Sequence, residues 1–282
     1  MEVEIMINTN IKKVIELLSQ KRGFDFSAYH MSFLKKQILH HMQTIGESSF
    51  SAYLELINRQ KTEMNSLADL LTVNVSKFFR DSLLFEIIAS VILPELITTK
   101  RHNGHASLRL WSAGCSYGEE AYSLAILLRE ALLKSNSELR TELFATDIDQ
   151  KALEESKQAI YGFESIENVK IKWLREFFID ENSQYKVVSE IKDMVNFSKF
   201  DLIDKKHHAP VESIFGNFDI ILCRNVLIYF QKDFQEIILS NLTRSLASGG
   251  ILVLGESEVL SETYQKKFKK VTNYCKIFQK VR

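Results

Sequence analysis

Polar residues that could grip a small ligand stand at the ends of three apolar segments of this sequence. Asp147 ends ELFATD, Asp201 ends MVNFSKFD, and the pair Arg224 and Asn225 ends FDIILCRN. Ligands of open α/β sheets bind at the carboxyl ends of the strands, so these side chains should share one rim. Any one of them could simply cap a loop. Residues that only cap loops have no reason to lie at the same rim. Polar residues at the ends of three strands therefore favour a binding site.

A fourth segment, LRLWSAGCSYGEEAYS (108–123), predicts a buried strand, a glycine turn and the start of a helix. Gly114 and Gly118 permit a sharp bend and a close ligand approach. The turn carries Glu119 and Glu120 and lacks the Lys-Ser/Thr pair of a phosphate-binding loop. Acid at this position repels phosphate and suits a cationic, hydroxyl-bearing ligand such as S-adenosylmethionine (SAM). The turn by itself fits a plain structural βα connection equally well.

The composition and charge of the chain argue against several classes of function. The 282 residues are 45% hydrophobic and carry a formal net charge of zero, which gives no bulk attraction to nucleic acid or to an anionic membrane. Three scattered cysteines without a C-x-x-C pair favour reduced thiols in the cytosol. The sequence shows no unbroken apolar run of roughly 18 residues and no basic, apolar leader. We therefore expect a cytoplasmic protein without direct membrane insertion.

The order of elements predicts two domains, 1–72 and 73–282. Apolar residues at helical spacing predict an all-α bundle in the first. Its basic pairs, such as Lys35 and Lys36, could dock an acidic partner helix, although solvated helix faces are the commoner explanation. In the second domain, strands separated by helices predict a mostly parallel, Rossmann-like sheet with an antiparallel C-terminal hairpin. Gly249 and Gly250 are expected to end the helix from about 232 to 246, and a small β-excursion is expected at about 170–192.

Five motifs together resemble the CheR-type chemotaxis receptor glutamate O-methyltransferases over essentially the whole chain. They are NVSKFFR (74–80), WSAGCSYGEEAYS (111–123), ATDID (145–149), FSKFDL (197–202) and FDIILCRNVLIYF (218–230). The resemblance implies a class I SAM-dependent methyltransferase fold after a small all-α domain. It implies SAM as methyl donor, S-adenosylhomocysteine (SAH) as product, and methyl-accepting chemoreceptors as partners. No metal and no nucleic acid are expected.

The resemblance also implies a set of site residues. Arg80 and Tyr229 are the predicted catalytic residues, with Arg80 orienting the incoming carboxylate. The predicted SAM-binding residues are Asn74, Ser76, Arg80, Glu120, Asp147, Asp201, Leu202, Arg224 and Asn225. Ser76 replaces the family's usual Thr and keeps the hydroxyl. The turn from Asp180 to Gln184 is short and glycine-free, which resembles members that act without a pentapeptide tether on the receptor.

Two other functions stay open at this point. The chain could be a SAM methyltransferase for another substrate, although RNVLIYF differs from the N/D-P-P-Y/F motif of nucleic-acid amine methylases. It could also be a SAM-binding regulator without turnover, against which Arg80 and Tyr229 argue.

Overall fold

The computed structural model describes residues 2–104, 107–214 and 216–281. The chain forms two compact units. The first unit contains residues 1–74 together with 228–235, and the second contains 75–227 and 236–282. The short segment 228–235 therefore groups with the N-terminal part of the chain, although it follows a strand of the second unit.

The first unit is helical, as predicted. Its helices are α1 (Glu2–Arg22), α2 (Met31–Thr44), α3 (Phe50–Arg59) and α4 (Lys61–Thr72). Buried side chains from all four helices form its core, among them Ile11, Leu18, Leu34, Ile38, Tyr53, Ile57 and Leu67. The segment 228–235 joins this unit through Phe230, whose ring centroid lies 4.8 Å from that of Tyr29. Tyr29 and Phe230 also form an isolated antiparallel bridge.

The second unit is an α/β fold, also as predicted. Its strands are β1 (Ser107–Ala113), β2 (Arg140–Asp147), β3 (Ile160–Gly162), β4 (Phe178–Glu181), β5 (Gln184–Val187), β6 (Val195–Lys199), β7 (Phe218–Cys223), β8 (Leu246–Leu254), β9 (Phe268–Lys270) and β10 (Ile277–Lys280). Within the described residues, the large sheet has the order β6-β2-β1-β7-β8-β10-β9. The first five of these strands pair in parallel, and β10 and β9 pair antiparallel. The remaining three strands form a small separate sheet, β3-β5-β4.

Helices precede and connect these strands. They are α5 (Ser82–Ile87), α6 (Leu93–His102), α7 (Glu119–Lys134), α8 (Gln150–Gln158), α9 (Phe163–Ile166), α10 (Ile171–Phe177), α11 (Ser189–Lys192), α12 (Lys232–Ser245) and α13 (Glu262–Gln265). The core lies between the large sheet and the helices that cover it, with Leu110, Leu124, Leu143 and Ile220 fully buried.

The end of α12 differs from the prediction. The helix stops at Ser245, and Gly249 and Gly250 lie inside β8 instead of ending the helix. A Cβ on Gly250 would come within 2.9 Å of the Phe218 carbonyl oxygen on the neighbouring strand. Gly250 therefore allows two strands to approach closely, which is a common reason for glycine inside a strand.

The helical stretch from 82 to 102 continues through Pro94. A π-helical turn, Ile88–Ile92, joins α5 to α6, and Pro94 stands in the first turn of α6. In the described part of the chain, this stretch has the length and mean hydropathy (1.7) of a possible membrane span. Charged and polar residues interrupt this stretch, so it contains no unbroken apolar run of roughly 18 residues. Its side chains at 84, 85, 88 and 92 are buried in the core of the second unit.

The predicted excursion near 170–192 is the hairpin of β4 and β5. Asn182 and Ser183 form its two-residue turn with φ values of 54° and 68°. Positive φ at both turn positions is the geometry that matches the twist of two hairpin strands. The third strand, β3, pairs with β5 and was not anticipated.

Candidate active site

Strand register brings the predicted rim residues of the second unit together. Ala113 of β1 pairs with Thr146 of β2, and Asp147 pairs with Lys199 of β6. On the other side of β1, Ser112 pairs with Leu222 of β7. The carboxyl ends of four parallel strands therefore lie side by side, and the residues that follow them surround the glycine turn after β1.

The glycine turn leaves no room for side chains. Gly114 has φ 79°, and a Cβ there would lie 2.5 Å from Cγ2 of Val226. Gly118 has φ 90° and stands directly before α7, where a Cβ would lie 3.1 Å from Phe197. Backbone N–H groups of Gly114 and Cys115 both donate to the Thr146 carbonyl, at 2.8 and 2.9 Å. The turn is thus fixed to the end of β2.

Asp147 is held by backbone donors. Its carboxylate accepts the N–H of Ser116 at 2.8 Å and that of Asp149 at 3.0 Å. Burial raises the pKa of Asp147 from its ordinary value, and these two hydrogen bonds only partly offset that effect. Each carboxylate oxygen keeps a further lone pair, so the group can still accept hydrogen bonds from a ligand diol. Nearby, the Ser116 hydroxyl is buried and makes no hydrogen bond among the described residues.

Glu120 and Arg224 form a buried ion pair. Nη1 of Arg224 donates to Glu120 at 2.9 Å, and Ser112 donates its hydroxyl to the other Glu120 oxygen at 2.8 Å. Nη2 of Arg224 donates to the carboxylate of Asp81 and, at 3.1 Å, to the carbonyl oxygen of Arg80. The Arg224 side chain is 2% exposed. Arg224 therefore ties the end of β7, the start of α7 and the 80–81 segment together.

Arg80 projects from a tightly constrained segment and is itself partly exposed. Its Nη1 donates to the Val75 carbonyl at 3.2 Å. Its two neighbours, Phe79 and Asp81, have φ values of 51° and 66°, which non-glycine residues adopt only when their surroundings require it. The Phe79 ring stacks on Trp173 with centroids 4.5 Å apart. This packing fixes the backbone from which the Arg80 guanidinium extends.

Glu119 was not among the predicted site residues. Its side chain is buried, and its Oε2 has no hydrogen-bond partner among the described residues. Burial raises the pKa of Glu119, which hydrogen bonds from Ser76 and Ser165 partly counteract. Ser76 therefore lies beside α7, as its assignment to the site requires. The only sequence signal for Glu119 as a site residue was its position in the glycine turn, next to Glu120.

Glu258 is a second residue that was missed. Its buried carboxylate accepts the N–H groups of Val226 and Leu227, both at 2.7 Å, and of Gly255 at 2.6 Å. Burial raises its pKa, and these backbone donors lower it in part. Glu258 thus fixes the turn after β7, where Asn225 has φ 59°. An acid just past the apolar strand ILVLG was the available sequence signal.

Asp201 and Leu202 follow β6 beside Asp147. The Phe200 N–H donates to the Asp147 carbonyl at 3.1 Å. One Asp201 carboxylate oxygen accepts the Ile203 N–H at 3.0 Å, and Leu202 is buried with its carbonyl bound to Asn241 at 3.0 Å. The predicted SAM-binding residues Asp201 and Leu202 thus lie on the same rim as Asp147.

Two predicted site residues belong to the first unit. The Asn74 side chain donates to Thr72 Oγ1 at 3.4 Å. The Tyr229 ring lies 5.2 Å from that of Phe33, and its carbonyl accepts the His30 N–H at 2.8 Å. The other predicted residues are in the second unit, where the contacts above connect them.

Comparison with known proteins agrees with this geometry. Residues 74–277 match the SAM-binding domain of CheR methyltransferases, and residues 9–72 match the all-alpha domain of the same family. The chain is 33% identical over 279 residues to a Pseudomonas putida methyltransferase named Cher3, covering 96% of each. It is 30% identical over 260 residues to the chemotaxis protein methyltransferase of Salmonella typhimurium, covering 90% of this chain and 85% of that one. It is 29% identical over 279 residues to chemotaxis protein methyltransferase 2 of Vibrio cholerae, covering 96% and 94%.

These matches confirm the predicted fold class and the predicted SAM-binding domain. Together the two family domains account for most of the sequence, and the relatives align along nearly their whole lengths. This chain is a member of the CheR methyltransferase family.

Proposed function

We propose that this protein transfers a methyl group from SAM to glutamate side chains of chemoreceptors, as a protein-glutamate O-methyltransferase of EC 2.1.1.80 type acting in chemotaxis adaptation. The observation that carries the proposal is the rim of the second unit, where Arg224 connects the acidic cofactor cradle to the backbone of the partly exposed Arg80. The relatives named as chemotaxis protein methyltransferases support the receptor as substrate.

The residues at the rim fit SAM. The cradle offers carboxylates at 119, 120, 147 and 201, which complement a sulfonium, an ammonium and a ribose diol. The orphaned Oε2 of Glu119 and hydroxyl of Ser116 are buried polar atoms that a ligand would satisfy. Asp147 would accept from the ribose hydroxyls, Asp201 and Leu202 would hold the adenine, and Glu120 would face the ammonium. Asn74, Ser76 and Asn225 complete the proposed set.

The chemistry asks for positioning more than for acid or base catalysis. When bound, SAM supplies an electrophilic methyl group. The substrate carboxylate is ionised at neutral pH, so its oxygen can form the new C–O bond directly while the sulfur retains the electron pair of the broken bond. No proton has to move. Arg80 would orient the carboxylate by paired hydrogen bonds and contribute through alignment.

Arg80 and Arg224 take different roles in this proposal. The Arg224 guanidinium is buried and shared by Glu120, Asp81 and the Arg80 carbonyl, so it organises the cradle. Arg80 is the partly exposed arginine of the two and can meet an incoming anion. Tyr229 is proposed to hydrogen-bond the same carboxylate.

Three finer points belong to the same proposal. The Lys35 and Lys36 pair of α2 is a candidate receptor-docking face. The glycine-free β4–β5 hairpin supports action without a pentapeptide tether. The free thiols at Cys115, Cys223 and Cys275 support a cytoplasmic location. Nucleic-acid binding and direct membrane insertion are not expected.

The test is transfer of tritiated methyl from SAM to receptor-containing membranes, followed by base treatment. Base-labile label identifies a methyl ester. Arg80→Ala should abolish transfer while SAH still binds, and Arg175→Ala, at an exposed arginine of α10, should transfer normally. Unchanged turnover of Arg80→Ala would remove Arg80 from the mechanism.

The same assay separates the alternatives. Base-stable label, or label only on a different acceptor, would indicate a SAM methyltransferase for another substrate. SAH binding without transfer to any acceptor would indicate a regulator without turnover.

A further inference from the structure

We propose that a groove on the second unit, between α5 and the β9–β10 hairpin, docks the acidic helix that carries the substrate glutamate. This inference rests on the proposed function and assigns part of substrate recognition to the catalytic unit itself. It is separate from the basic pairs of the helical unit.

The groove has a volume of about 580 Å³. One wall is the start of α5, the floor is the end of β8, and the other wall is the loop between β9 and β10. Its lining residues are Asp81, Ser82, Leu83, Leu84, Leu254, Glu256, Lys270, Asn273, Tyr274, Cys275 and Lys276. Leu83 is 55% exposed and Tyr274 is 82% exposed. Exposed leucine and tyrosine side chains on facing walls can receive the apolar residues of an amphipathic helix.

The inner end of the groove adjoins the cofactor cradle. Asp81 lines the groove and also binds Arg224, which in turn binds Glu120. The charges of Asp81 and Arg224 both act on the Cys275 thiol, whose pKa burial raises, so the hairpin loop lies close to this network. A chain segment in the groove would thus pass beside the residue that follows Arg80.

The charge of the hairpin complements an acidic partner. The sequence from 263 to 282 contains six lysines and one arginine and lacks Asp and Glu. Lys270 and Lys276 face the groove and have no ion-pair partner among the described residues. Two acids, Asp81 and Glu256, also line the groove, and Asp81 shares the single charge of Arg224 with Glu120. The lining side chains are therefore balanced in formal charge, and the positive excess lies in the 263–282 sequence that forms the outer wall, in a chain whose overall formal charge is zero.

An acidic helix fits this surface better than a lipid or nucleic-acid backbone. A substrate segment for glutamate methylation carries carboxylates by definition, and acids one helical turn from the target could pair with Lys270 and Lys276. The exposed Leu83 and Tyr274 favour an amphipathic protein segment over a phosphate backbone. Complementary charge of this kind chiefly affects encounter and register.

The experiment compares Lys270→Glu/Lys276→Glu with a matched control, Lys205→Glu/Lys206→Glu, at two exposed lysines after Asp204. Methyl transfer is measured with receptor-containing membranes and with a lipid-free receptor fragment, and SAH affinity is measured by calorimetry. We expect KM for both substrates to rise about tenfold in the groove variant, with kcat and SAH affinity within twofold of wild type. The control should retain the wild-type KM. If the groove variant loses SAH binding, Lys270→Gln and Lys276→Gln replace it.

An unchanged KM for the fragment would overturn the inference. So would a KM that rises for membranes alone, because it would assign the lysines to the lipid surface. A Lys35→Glu/Lys36→Glu variant tests the helical unit independently. If wild type forms no base-labile ester, the proposed function fails, and fragment binding then tests the groove directly. Lysine-dependent binding would support the groove, and lysine-independent binding or no binding would overturn it.

Discussion

Replacing Arg224 with Met should destabilise the second unit strongly, because it leaves a buried acid without its partner. Glu120 is 12% exposed and would keep only the Ser112 hydroxyl. Removing one member of a buried ion pair typically costs about 3–5 kcal/mol. The Asp81 contact adds little, because that side chain is 45% exposed and solvent can replace the arginine. We therefore expect a loss of about 3 kcal/mol, at the lower end of that range.

Tryptophan fluorescence is the natural assay. Both tryptophans, Trp111 and Trp173, lie in the second unit, so thermal or urea unfolding followed by their emission reports on that unit. For a unit of this size, 3 kcal/mol corresponds to a decrease in Tm of about 6–12 °C. Arg59→Met serves as the control in the helical unit, where an exposed pair with Glu55 at 3.9 Å should contribute about 0–1 kcal/mol when overall stability is measured by circular dichroism.

The double variant Glu120→Gln/Arg224→Met decides the interpretation. Neutralising Glu120 removes the uncompensated charge, so part of the lost stability should return even though a second side chain has changed. Strictly additive losses, or a loss below about 1 kcal/mol for Arg224→Met alone, would refute the view that this pair holds the cradle together.

Three further predictions concern the same rim. Because burial raises the pKa of Asp147 above its ordinary 3.8, SAH affinity should fall on acidification at a higher pH than an ordinary aspartate would give, and Asp147→Asn should bind more weakly with a flatter pH profile in calorimetry. Glu258→Gln should lose about 3 kcal/mol in urea unfolding, because the amide NH2 replaces one of the two accepting oxygens and sets a donor against at least one backbone N–H in a buried site. Gly114→Ala should weaken SAH binding through its 2.5 Å clash with Val226, and adding Val226→Ala should restore part of the affinity, leaving the cost of a positive φ. A pH-independent affinity, a stable Glu258→Gln protein or a tolerated Gly114→Ala would each contradict the corresponding argument.

Sequence patterns were sufficient for the order of the main helices and strands, although not for β3, and for the convergence of several strand-ending polar residues on one rim. Strand-ending acids such as Asp147 and Asp201 stand where periodicity changes, so their convergence follows from parallel strand topology. The prediction that Gly249 and Gly250 end a helix was wrong, because glycine is favoured both after a helix and where strands approach closely. Only the nearby Phe218 carbonyl distinguishes the two cases.

The partners of the supporting carboxylates could not be predicted from sequence patterns. Glu258 acts on backbone groups more than thirty residues away, and Asp81 meets an arginine 143 positions later. Such contacts leave no local periodicity, and an acidic residue on its own is most often solvated. The grouping of residues 228–235 with the helical unit could not be predicted from the sequence for the same reason, because it depends on contacts between residues far apart in the chain.

That grouping has a consequence for biosynthesis. A ribosome that has released residue 74 has not yet made Phe230, the ring that packs on Tyr29. More than 150 further residues are synthesised after residue 74 before the segment 228–235, which belongs to the same unit, is complete. A fragment that stops at residue 74 would therefore lack the ring that packs on Tyr29.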